Sequence, residues 1–294
     1  MIRAGQYAEL GNGIRLHYAS VGEAEARPIL LLHGFPEYWA AWEDVLPHLA
    51  SGWHAVAPDL RGFNLSSQPA DVRAYRAREL IDDFERFSER LGWRKLTVVA
   101  HDWGGAAGWQ WAITHPERVE RLVILNSPHP VPFARDLAND PAQQAASAYM
   151  NWLRAPGAEM ALMRHDCKAL ESFFVSMRRP GYLWYTPERA ARYREVWSRG
   201  VTGGLNYYRA SPLHPPTPEE PEPAALDPRN FRVRVPTLVL WGEADHALPP
   251  RLLDGLDELV DDLTIERLPD ATHWLAHEEP QRVAAAIRAF CTAS

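Results

Sequence analysis

The sequence predicts an α/β fold in which a mostly parallel central sheet is flanked by helices, with a helical segment inserted after the sixth strand. Short apolar runs alternate with helical patterns over residues 1–127 and again after residue 230. Between residues 128 and 230 the helical patterns continue without strands. A run of small residues around one aspartate joins the fifth strand to a helix. Alternation of strands and helices is typical of a parallel sheet that is covered on both faces.

Eight strands are predicted. Residues 7–20 alternate polar and apolar side chains around Gly11 and Gly13, which indicates an antiparallel hairpin. Six continuous apolar runs have the character of buried parallel strands. They span residues 28–32, 53–57, 96–100, 119–125, 237–241 and 263–268. Residues 79–91 form a helix between the fourth and fifth strands, because Leu80, Ile81, Phe84, Phe87 and Leu91 share one helical face.

We divide the chain into a core, residues 1–127 and 231–294, and a helical insertion, residues 128–230, which would cover the sheet as a cap. Helices are predicted within the insertion at residues 141–155, 158–177, 187–199 and 204–209. The insertion ends in Pro212-Leu-His-Pro-Pro-Thr-Pro-Glu-Glu-Pro-Glu-Pro, which is too rich in proline for a helix or a central strand. We predict a surface connector there in preference to a partner-binding motif.

Composition excludes several classes of function. The net charge of -7 and the absence of a basic patch predict no nucleic-acid partner. Since no apolar stretch is long enough to span a bilayer and no signal peptide is visible, we predict no membrane partner and a cytoplasmic location. Cys167 and Cys291 are not spaced as metal ligands, so we expect reduced thiols, no metal and no cofactor. The twelve tryptophans fit core packing or an apolar ligand pocket, and the oligomeric state is open.

The most informative segment is Leu96-Thr-Val-Val-Ala-His-Asp-Trp-Gly-Gly, which leads from a strand into a helix. Its small-x-Asp-x-Gly pattern has the geometry of a nucleophile elbow, with Asp102 at the tight turn. The turn would lift Asp102 over the carboxyl edge of the sheet, where open α/β sheets bind ligands. The helix N-terminus favours an anion, so Asp102 would be a carboxylate nucleophile that needs no base. In the alternative reading, Asp102 only caps the helix.

Two more titratable residues follow strands at the same predicted edge. Asp245 comes after strand 237–241, and His273 comes after strand 263–268. The chain order of nucleophile, acid and histidine is the order found in hydrolases with this elbow. Glu243 and His246 are alternatives to Asp245, and His277 is an alternative to His273.

From about residue 28 to its end, the chain resembles the α/β-hydrolase superfamily and, within it, the soluble epoxide hydrolases. His33-Gly-Phe-Pro-Glu resembles the HGxP oxyanion loop, and Asp59-Leu-Arg-Gly-Phe-Asn-Leu-Ser resembles DxRGxGxS with Asn64 replacing a glycine. His101-Asp-Trp-Gly-Gly matches the nucleophile motif, and Asn126-Ser-Pro-His is similar to N-x-P after the sixth strand. The resemblance implies the α/β-hydrolase fold. Because Asn126 is not acidic, it also implies Asp245 as the triad acid.

The resemblance further implies that two tyrosines of the insertion donate protons. Tyr149 begins a segment similar to Y-x-x-x-[FL]-x-x-P-G, and Tyr208 lies in a segment similar to L-N-[WY]-Y-R. Tyr207 would face elsewhere if its segment is helical, because neighbours differ by about 100°. Backbone N–H groups of Phe35 and Trp103 would form the oxyanion hole. Trp152, Trp184 and Trp274 are expected to line the substrate pocket.

The predicted function is hydrolysis of a small apolar or aryl epoxide to a vicinal diol through an ester on Asp102. His273, oriented by Asp245, would activate the water that cleaves this ester. A haloalkane dehalogenase is the first alternative, since it shares the aspartate nucleophile. Its second halide donor is an Asn in the HGxP loop or a cap Trp. Phe35 argues against the Asn, whereas Trp152 and Trp184 leave the Trp arrangement open.

Two further alternatives share the fold. A haloacetate dehalogenase is disfavoured, because Asp102-Trp-Gly-Gly lacks the two arginines that would hold a substrate carboxylate. A ligand-binding protein without catalytic activity stays possible in principle, because a fold does not determine a function.

Overall fold

A single eight-stranded sheet forms the centre of the computed structural model, which describes residues 1–177, 179, 181–222 and 224–292. The strands are β1 (Arg3–Glu9), β2 (Arg15–Val21), β3 (Arg27–Leu32), β4 (Trp53–Pro58), β5 (Leu96–His101), β6 (Val119–Leu125), β7 (Thr237–Gly242) and β8 (Leu263–Leu268). Their order across the sheet is β1-β2-β4-β3-β5-β6-β7-β8. β2 is antiparallel to both β1 and β4, and the remaining pairs are parallel. The predicted mostly parallel sheet is confirmed, and each of the six predicted apolar strands agrees to within one residue at either end.

Both faces of the sheet are covered, as the continuous apolar runs predicted. Along β3, Leu30 and Leu32 pack into one core cluster, while Ile29 and Leu31 pack into another on the opposite face. All four side chains are fully buried. Side chains of a strand alternate between faces, so a strand that is buried on both faces cannot alternate polar and apolar residues.

Helices lie on both faces. The α-helices of the core are α1 (Leu46–Leu49), α2 (Ala77–Arg90) and α3 (Asp102–Thr114), and at the end of the chain α10 (Leu275–Glu278) and α11 (Pro280–Thr292). Those of the insertion are α4 (Pro130–Asn139), α5 (Pro141–Ala146), α6 (Ala148–Arg154), α7 (Ala158–Ser176), α8 (Pro187–Ser198) and α9 (Thr202–Ala210). Short 3-10 helices occur at Trp39–Trp42, Val72–Tyr75, Pro228–Asn230, Pro250–Leu253 and Leu256–Glu258. None of the described helices is both long and apolar enough to cross a bilayer.

The insertion differs from its prediction in three places. Helix α4 was not predicted, and the helix predicted at 141–155 is divided at Ser147, whose hydroxyl accepts a hydrogen bond from Gln143 (2.8 Å). Helix α7 is interrupted at residues 164–167, where His165, Asp166 and Cys167 have positive φ. A left-handed backbone costs a residue with a Cβ about 1–2 kcal/mol, which hydropathy patterns do not reveal.

The carboxyl ends of five parallel strands bring distant segments together. Residues 33–37 follow β3, Asp102 follows β5 and Asn126 follows β6, while Asp245 and His273 lie in the segments after β7 and β8. Strands of a parallel sheet end at the same edge, so these residues converge although up to 240 positions separate them along the chain.

Candidate active site

Asp102 lies at a sharp turn where β5 becomes α3. Its φ of 50° is in the left-handed region, and α3 approaches the sheet closely just after it. A Cβ added to Gly104 would lie 2.5 Å from the backbone oxygens of Leu32 and His33, so only glycine fits there. This is the nucleophile elbow that the small residues predicted.

The two oxygens of the Asp102 carboxylate have different neighbours. The Phe35 N–H donates a hydrogen bond to Oδ1 (2.7 Å), and His273 Nε2 lies 3.7 Å from Oδ2. Trp103 is the second residue of α3, so its N–H has no acceptor within the helix. Of the two predicted oxyanion-hole residues, Phe35 thus contacts the carboxylate of Asp102, and Trp103 follows Asp102 directly in the chain.

Asp245 and His273 form a buried pair. His273 Nδ1 lies 2.7 Å from Asp245 Oδ2, and the Asp245 carboxylate also accepts hydrogen bonds from the N–H groups of Ala247 (2.8 Å) and Leu248 (3.1 Å). Burial would raise the pKa of Asp245, but His273 and the hydrogen bonds outweigh it and lower the pKa below its usual range. Asp245, rather than Glu243, which pairs with Arg267 (2.9 Å), orients the imidazole.

The charge of His273 depends on the two carboxylates beside it. Burial would lower the pKa of His273, but Asp245 and then Asp102 outweigh burial and raise it to about 9. At a pKa of about 9 the imidazole is protonated near neutral pH.

Asn126 is a site residue whose role the sequence did not predict. Its side-chain amide donates to Asp245 Oδ2 (2.8 Å) and to the Gly242 carbonyl (3.1 Å), and its Oδ1 accepts from the Gly242 N–H (2.7 Å). Its φ of 33° is one that asparagine tolerates better than most residues. Asn126 thus holds the triad acid and the end of β7 together.

The two predicted tyrosines come from different helices of the insertion and meet above Asp102. Tyr149 lies in α6 and Tyr208 in α9, and their rings pack edge to face with centroids 6.2 Å apart. Burial raises the pKa of both phenols, and the nearby Asp102 charge raises them further, so both stay protonated. The Trp103 ring packs against Tyr208 in a T-shaped contact, with centroids 4.9 Å apart. Tyr207 instead donates to the Arg61 carbonyl (2.9 Å).

Two cavities meet at these residues. The larger has a volume of about 320 Å³ and the smaller about 220 Å³, and Asp102, Tyr149 and Tyr208 line both. Trp103 lines the larger cavity, and His273 lines the smaller. Together they fall within the size range of small-molecule sites, about 300–1,000 Å³.

The prediction of three pocket tryptophans is wrong for two of them. Trp274 lines the smaller cavity. Trp152 lines neither cavity and is 43% exposed, because it lies about 200° around α6 from the buried Met150. Trp184 also lines neither cavity, since it stacks on His277 with ring centroids 4.1 Å apart.

The segment Asp59-Leu-Arg-Gly-Phe-Asn-Leu-Ser supports the loop that follows β3. The Asp59 carboxylate accepts from the Trp39 N–H (2.9 Å) and from Asn64 Nδ2 (2.7 Å), and His33 Nε2 accepts from the Leu60 N–H (3.0 Å). Asn64 has a φ of 47°, so it adopts the backbone conformation of the glycine that it replaces. The role of this segment is to support the site, since none of its residues lines either cavity.

Glu37, the last residue of His33-Gly-Phe-Pro-Glu, was quoted in the motif without a role. It is 1% exposed and accepts hydrogen bonds from His277 Nε2 (2.7 Å) and the Tyr193 hydroxyl (3.0 Å), with His101 Nδ1 at 3.4 Å. Burial would raise the pKa of Glu37, but His277 and His101 hold it well below its usual range. His277 thus belongs to a second buried cluster and is not the partner of Asp245.

Comparison with known proteins agrees with this geometry. The family model described as "alpha/beta hydrolase fold" matches residues 27–280. An AB hydrolase superfamily protein, YfhM, from Bacillus subtilis is 33% identical over 92% of this chain and 91% of its own length. Epoxide hydrolase 4 from Mus musculus is 33% identical over 95% of this chain and 77% of its own length. The crystal structure of a Bacillus megaterium epoxide hydrolase with an inhibitor has a TM-score of 0.89 and 32% identity, covering 98% of this chain and 100% of that chain.

Replacing Glu37 with glutamine should destabilise the fold in a pH-dependent way. A carboxyl whose folded pKa lies below its ordinary value of 4.5 stabilises the fold above that value, and this stabilisation is lost as the pH falls. We expect Glu37→Gln to lower the free energy of unfolding by about 2 kcal/mol near neutral pH. The deficit should shrink at acidic pH, as measured by urea denaturation across the pH range.

Glu117→Gln is the matched control, because Glu117 is exposed. Its free energy of unfolding should follow that of the unaltered protein at every pH. A Glu37→Gln deficit that is constant with pH would show that shape, not charge, makes Glu37 stabilising.

Proposed function

We propose that this chain, which belongs to the epoxide hydrolases of the α/β-hydrolase family, converts an epoxide and water to a vicinal diol through an ester on Asp102. One observation carries the proposal: two protonated phenols, Tyr149 and Tyr208, face a carboxylate across a shared cavity. A carboxylate is the nucleophile, and the phenols are the donors that an epoxide oxygen requires on opening.

The first half of the reaction uses Asp102 and the tyrosines. Asp102 attacks one carbon of the epoxide ring, and the bond from that carbon to the ring oxygen breaks. The oxygen stays on the substrate as an alkoxide, to which Tyr149 or Tyr208 donates a proton. The raised pKa values of both phenols support this role, because each keeps its proton until the alkoxide forms.

The second half uses His273 as a general base. Ester formation removes the negative charge of Asp102, whose Oδ2 lies 3.7 Å from His273 Nε2 in the free enzyme. The pKa of His273 falls when this charge disappears, so the neutral imidazole, which can accept a proton, is more populated in the ester than in the free enzyme. The proton that His273 loses restores the tyrosine that protonated the alkoxide. It takes a proton from water, and hydroxide attacks the ester carbonyl.

Backbone donors then stabilise the tetrahedral intermediate. The N–H groups of Phe35 and Trp103 would hold the oxyanion that forms from the carbonyl oxygen, and one such donor is worth about 3 kcal/mol in comparable sites. The acyl–oxygen bond breaks, and the leaving oxygen takes the proton of the newly formed carboxyl group. The diol leaves with an oxygen from Asp102, Asp102 regains its carboxylate, and His273 keeps the proton that it took from water.

The packing of the tryptophans supports an epoxide over a haloalkane. A halide would need a second N–H donor in the cavity, but Trp152 is largely exposed, and Trp184 stacks on His277. The Trp103 ring packs against Tyr208, with centroids 4.9 Å apart. The site thus supplies two phenol hydroxyls for an oxygen, where a dehalogenase would supply a second N–H donor from an Asn or a cap Trp.

The core and the insertion contribute different parts of the proposed site. The insertion, residues 128–230, acts as a cap, because it supplies both phenols, while residues 1–127 and 231–294 supply the triad. The substrate is a small apolar or aryl epoxide, in keeping with the aromatic rings around Asp102. Two free cysteines, Cys167 and Cys291, support a cytoplasmic location.

A substrate panel with tyrosine variants tests the proposed activity. We expect diol formation from styrene oxide and no halide release from bromoalkanes. Tyr149→Phe and Tyr208→Phe should each slow diol formation by about 100-fold, because each removes a proton donor. Tyr207→Phe is the matched control and should retain the rate to within a few-fold, since its hydroxyl binds the Arg61 carbonyl. Halide release without diol formation would contradict the proposal.

Isotope labelling and His273 variants test the ester. In a single turnover in 18O-water with excess enzyme, the first diol should carry an unlabelled oxygen from Asp102. His273→Ala should accumulate the ester, detected by mass spectrometry as enzyme plus one substrate. His246→Ala is the control, because His246 lines the same cavity but is exposed. Label in the diol of the first turnover would rule out the covalent route.

Hydrolysis of the ester should depend on pH through His273. The imidazole is a base only when neutral, so the rate of ester decay should rise with pH and then level off. The midpoint should lie below the value of about 9 in the free enzyme, because the Asp102 charge is absent from the ester. Stopped-flow tryptophan fluorescence measures this rate. Decay that does not vary with pH, or a midpoint at or above about 9, would exclude this role.

A further inference from the structure

The larger cavity follows helix α3 away from Asp102. Trp103, Ala106, Ala107 and Gln110 line it one after another along that helix. Eight residues separate Asp102 from Gln110, which corresponds to about 12 Å along the helix axis. Ala106 and Ala107 have small side chains, so the floor of the cavity leaves room for a substituent over about two helical turns.

Another part of the lining comes from the segment that ends the insertion, residues 211–231, here called the return segment. Leu213 and Leu226 line the larger cavity, as do Ser211, Pro212 and Phe231. The sequence predicted only a surface connector at this position. The structure gives the segment a second role, because its apolar side chains face the cavity that contains the nucleophile.

The return segment is attached to α6, the helix that carries Tyr149. Glu220 binds both Arg154 (2.9 Å) and His214 (3.0 Å), and Asn151 Nδ2 donates to the Pro215 carbonyl (3.0 Å). Prolines restrict the backbone of the segment. These contacts connect the return segment to the helix that carries Tyr149, one of the two proposed proton donors.

The smaller cavity has a different character. His273 lines it, together with Ser172, Ser176 and the exposed His246, beside apolar side chains that include Phe173, Met177 and Trp274. Water that attacks the ester must lie beside His273, so it occupies this cavity during the second half of the reaction. A bulky substituent in the same place would displace that water.

We infer that the enzyme is specific for epoxides with one elongated apolar substituent, here called the arm, which lies along α3 and against Leu213 and Leu226. The attacking water occupies the smaller cavity. The inference rests on the proposed function and adds the shape of the substrate to it. Leu213 and Leu226 are specificity-determining residues, because they limit the depth of the arm's binding site without contacting the reacting atoms. An arm longer than about 12 Å passes Gln110 and enters solvent.

A series of terminal epoxyalkanes, from epoxybutane to epoxyhexadecane, measures the length of this arm. Each methylene that leaves water should raise kcat/KM by about fourfold. The increase should stop once the chain extends about 12 Å beyond the epoxide. Absence of any dependence on chain length would overturn the inference.

Two variants connect the effect to the return segment. Leu213→Trp and Leu226→Trp should lower kcat/KM at least about tenfold more for the longest substrates than for epoxybutane. Leu183→Trp is the matched control, because Leu183 is 73% exposed and lines neither cavity. An equal loss for short and long substrates would show a general structural effect and contradict the assignment.

An internal epoxide with long arms on both carbons tests the smaller cavity. Compared with its terminal isomer, it should have a lower kcat and should accumulate the ester, because its second arm displaces the attacking water. Equal kcat values for the two isomers would overturn this part of the inference.

Binding of product diols tests the shape of the cavity without depending on the proposed reaction. If no epoxide gives a diol, the proposed function fails, whereas calorimetric Kd values for the terminal diols still report on the cavity. These Kd values should fall with chain length in the unaltered protein, and Leu213→Trp should abolish that dependence. Diols that bind equally at all lengths would contradict the inference by itself.

Discussion

The strained turn at Asp102 is the constraint on which the rest of the site depends. A positive φ at a residue with a Cβ costs about 1–2 kcal/mol, and the surrounding structure must hold it. β5 and α3 are both buried, Gly104 lies against the backbone at the end of β3, and the Ser127 hydroxyl donates to the Asp102 carbonyl (2.8 Å). These contacts direct the carboxylate out of the sheet, within 2.7 Å of the Phe35 N–H and toward both cavities.

Charge is arranged around this carboxylate in two connected clusters. Asp102, His273 and Asp245 form the first, and Glu37 with His277 forms the second. His101 lies between them, since its Nε2 is 2.9 Å from the His273 carbonyl and its Nδ1 is 3.4 Å from Glu37. A buried carboxylate without partners would take up a proton, but the imidazoles of His273 and His277 lower the pKa values of Asp245 and Glu37. The imidazole of His273 also lies 3.7 Å from Asp102 Oδ2.

The insertion contributes the groups that distinguish one carboxylate-based reaction from another. Its position over the core depends on close packing: a Cβ on Gly203 would lie 2.3 Å from the Gly62 carbonyl oxygen, so α9 rests directly on the core. Phe174 packs its ring against Trp274 of the core, with centroids 4.6 Å apart. Arg189 binds Asp44 (2.8 Å), an ion pair that contributes less than the aromatic packing because it is partly exposed. Tyr149 and Tyr208 owe their place above Asp102 to this packing.

The sequence by itself predicted the sheet, the tight turn at Asp102 and the three residues, Asp102, Asp245 and His273, that the structure brings together. Strand runs buried on both faces, a tight small-residue turn and the chain order of Asp102, Asp245 and His273 are local signals, so they can be read without knowing what packs against them. The two tyrosines were predicted by resemblance, since isolated aromatic residues carry no such signal.

The tertiary structure decided what depends on contacts between distant residues. It assigned Asn126 to the triad acid and Glu37 to a cluster with His277, and it directed Trp152 and Trp184 away from the cavities. It also turned the proline-rich connector into a wall of the larger cavity. Hydropathy and motif patterns specify which residues are buried or where a turn occurs, but the partner of a buried polar group is chosen only when separate segments meet at the edge of the sheet.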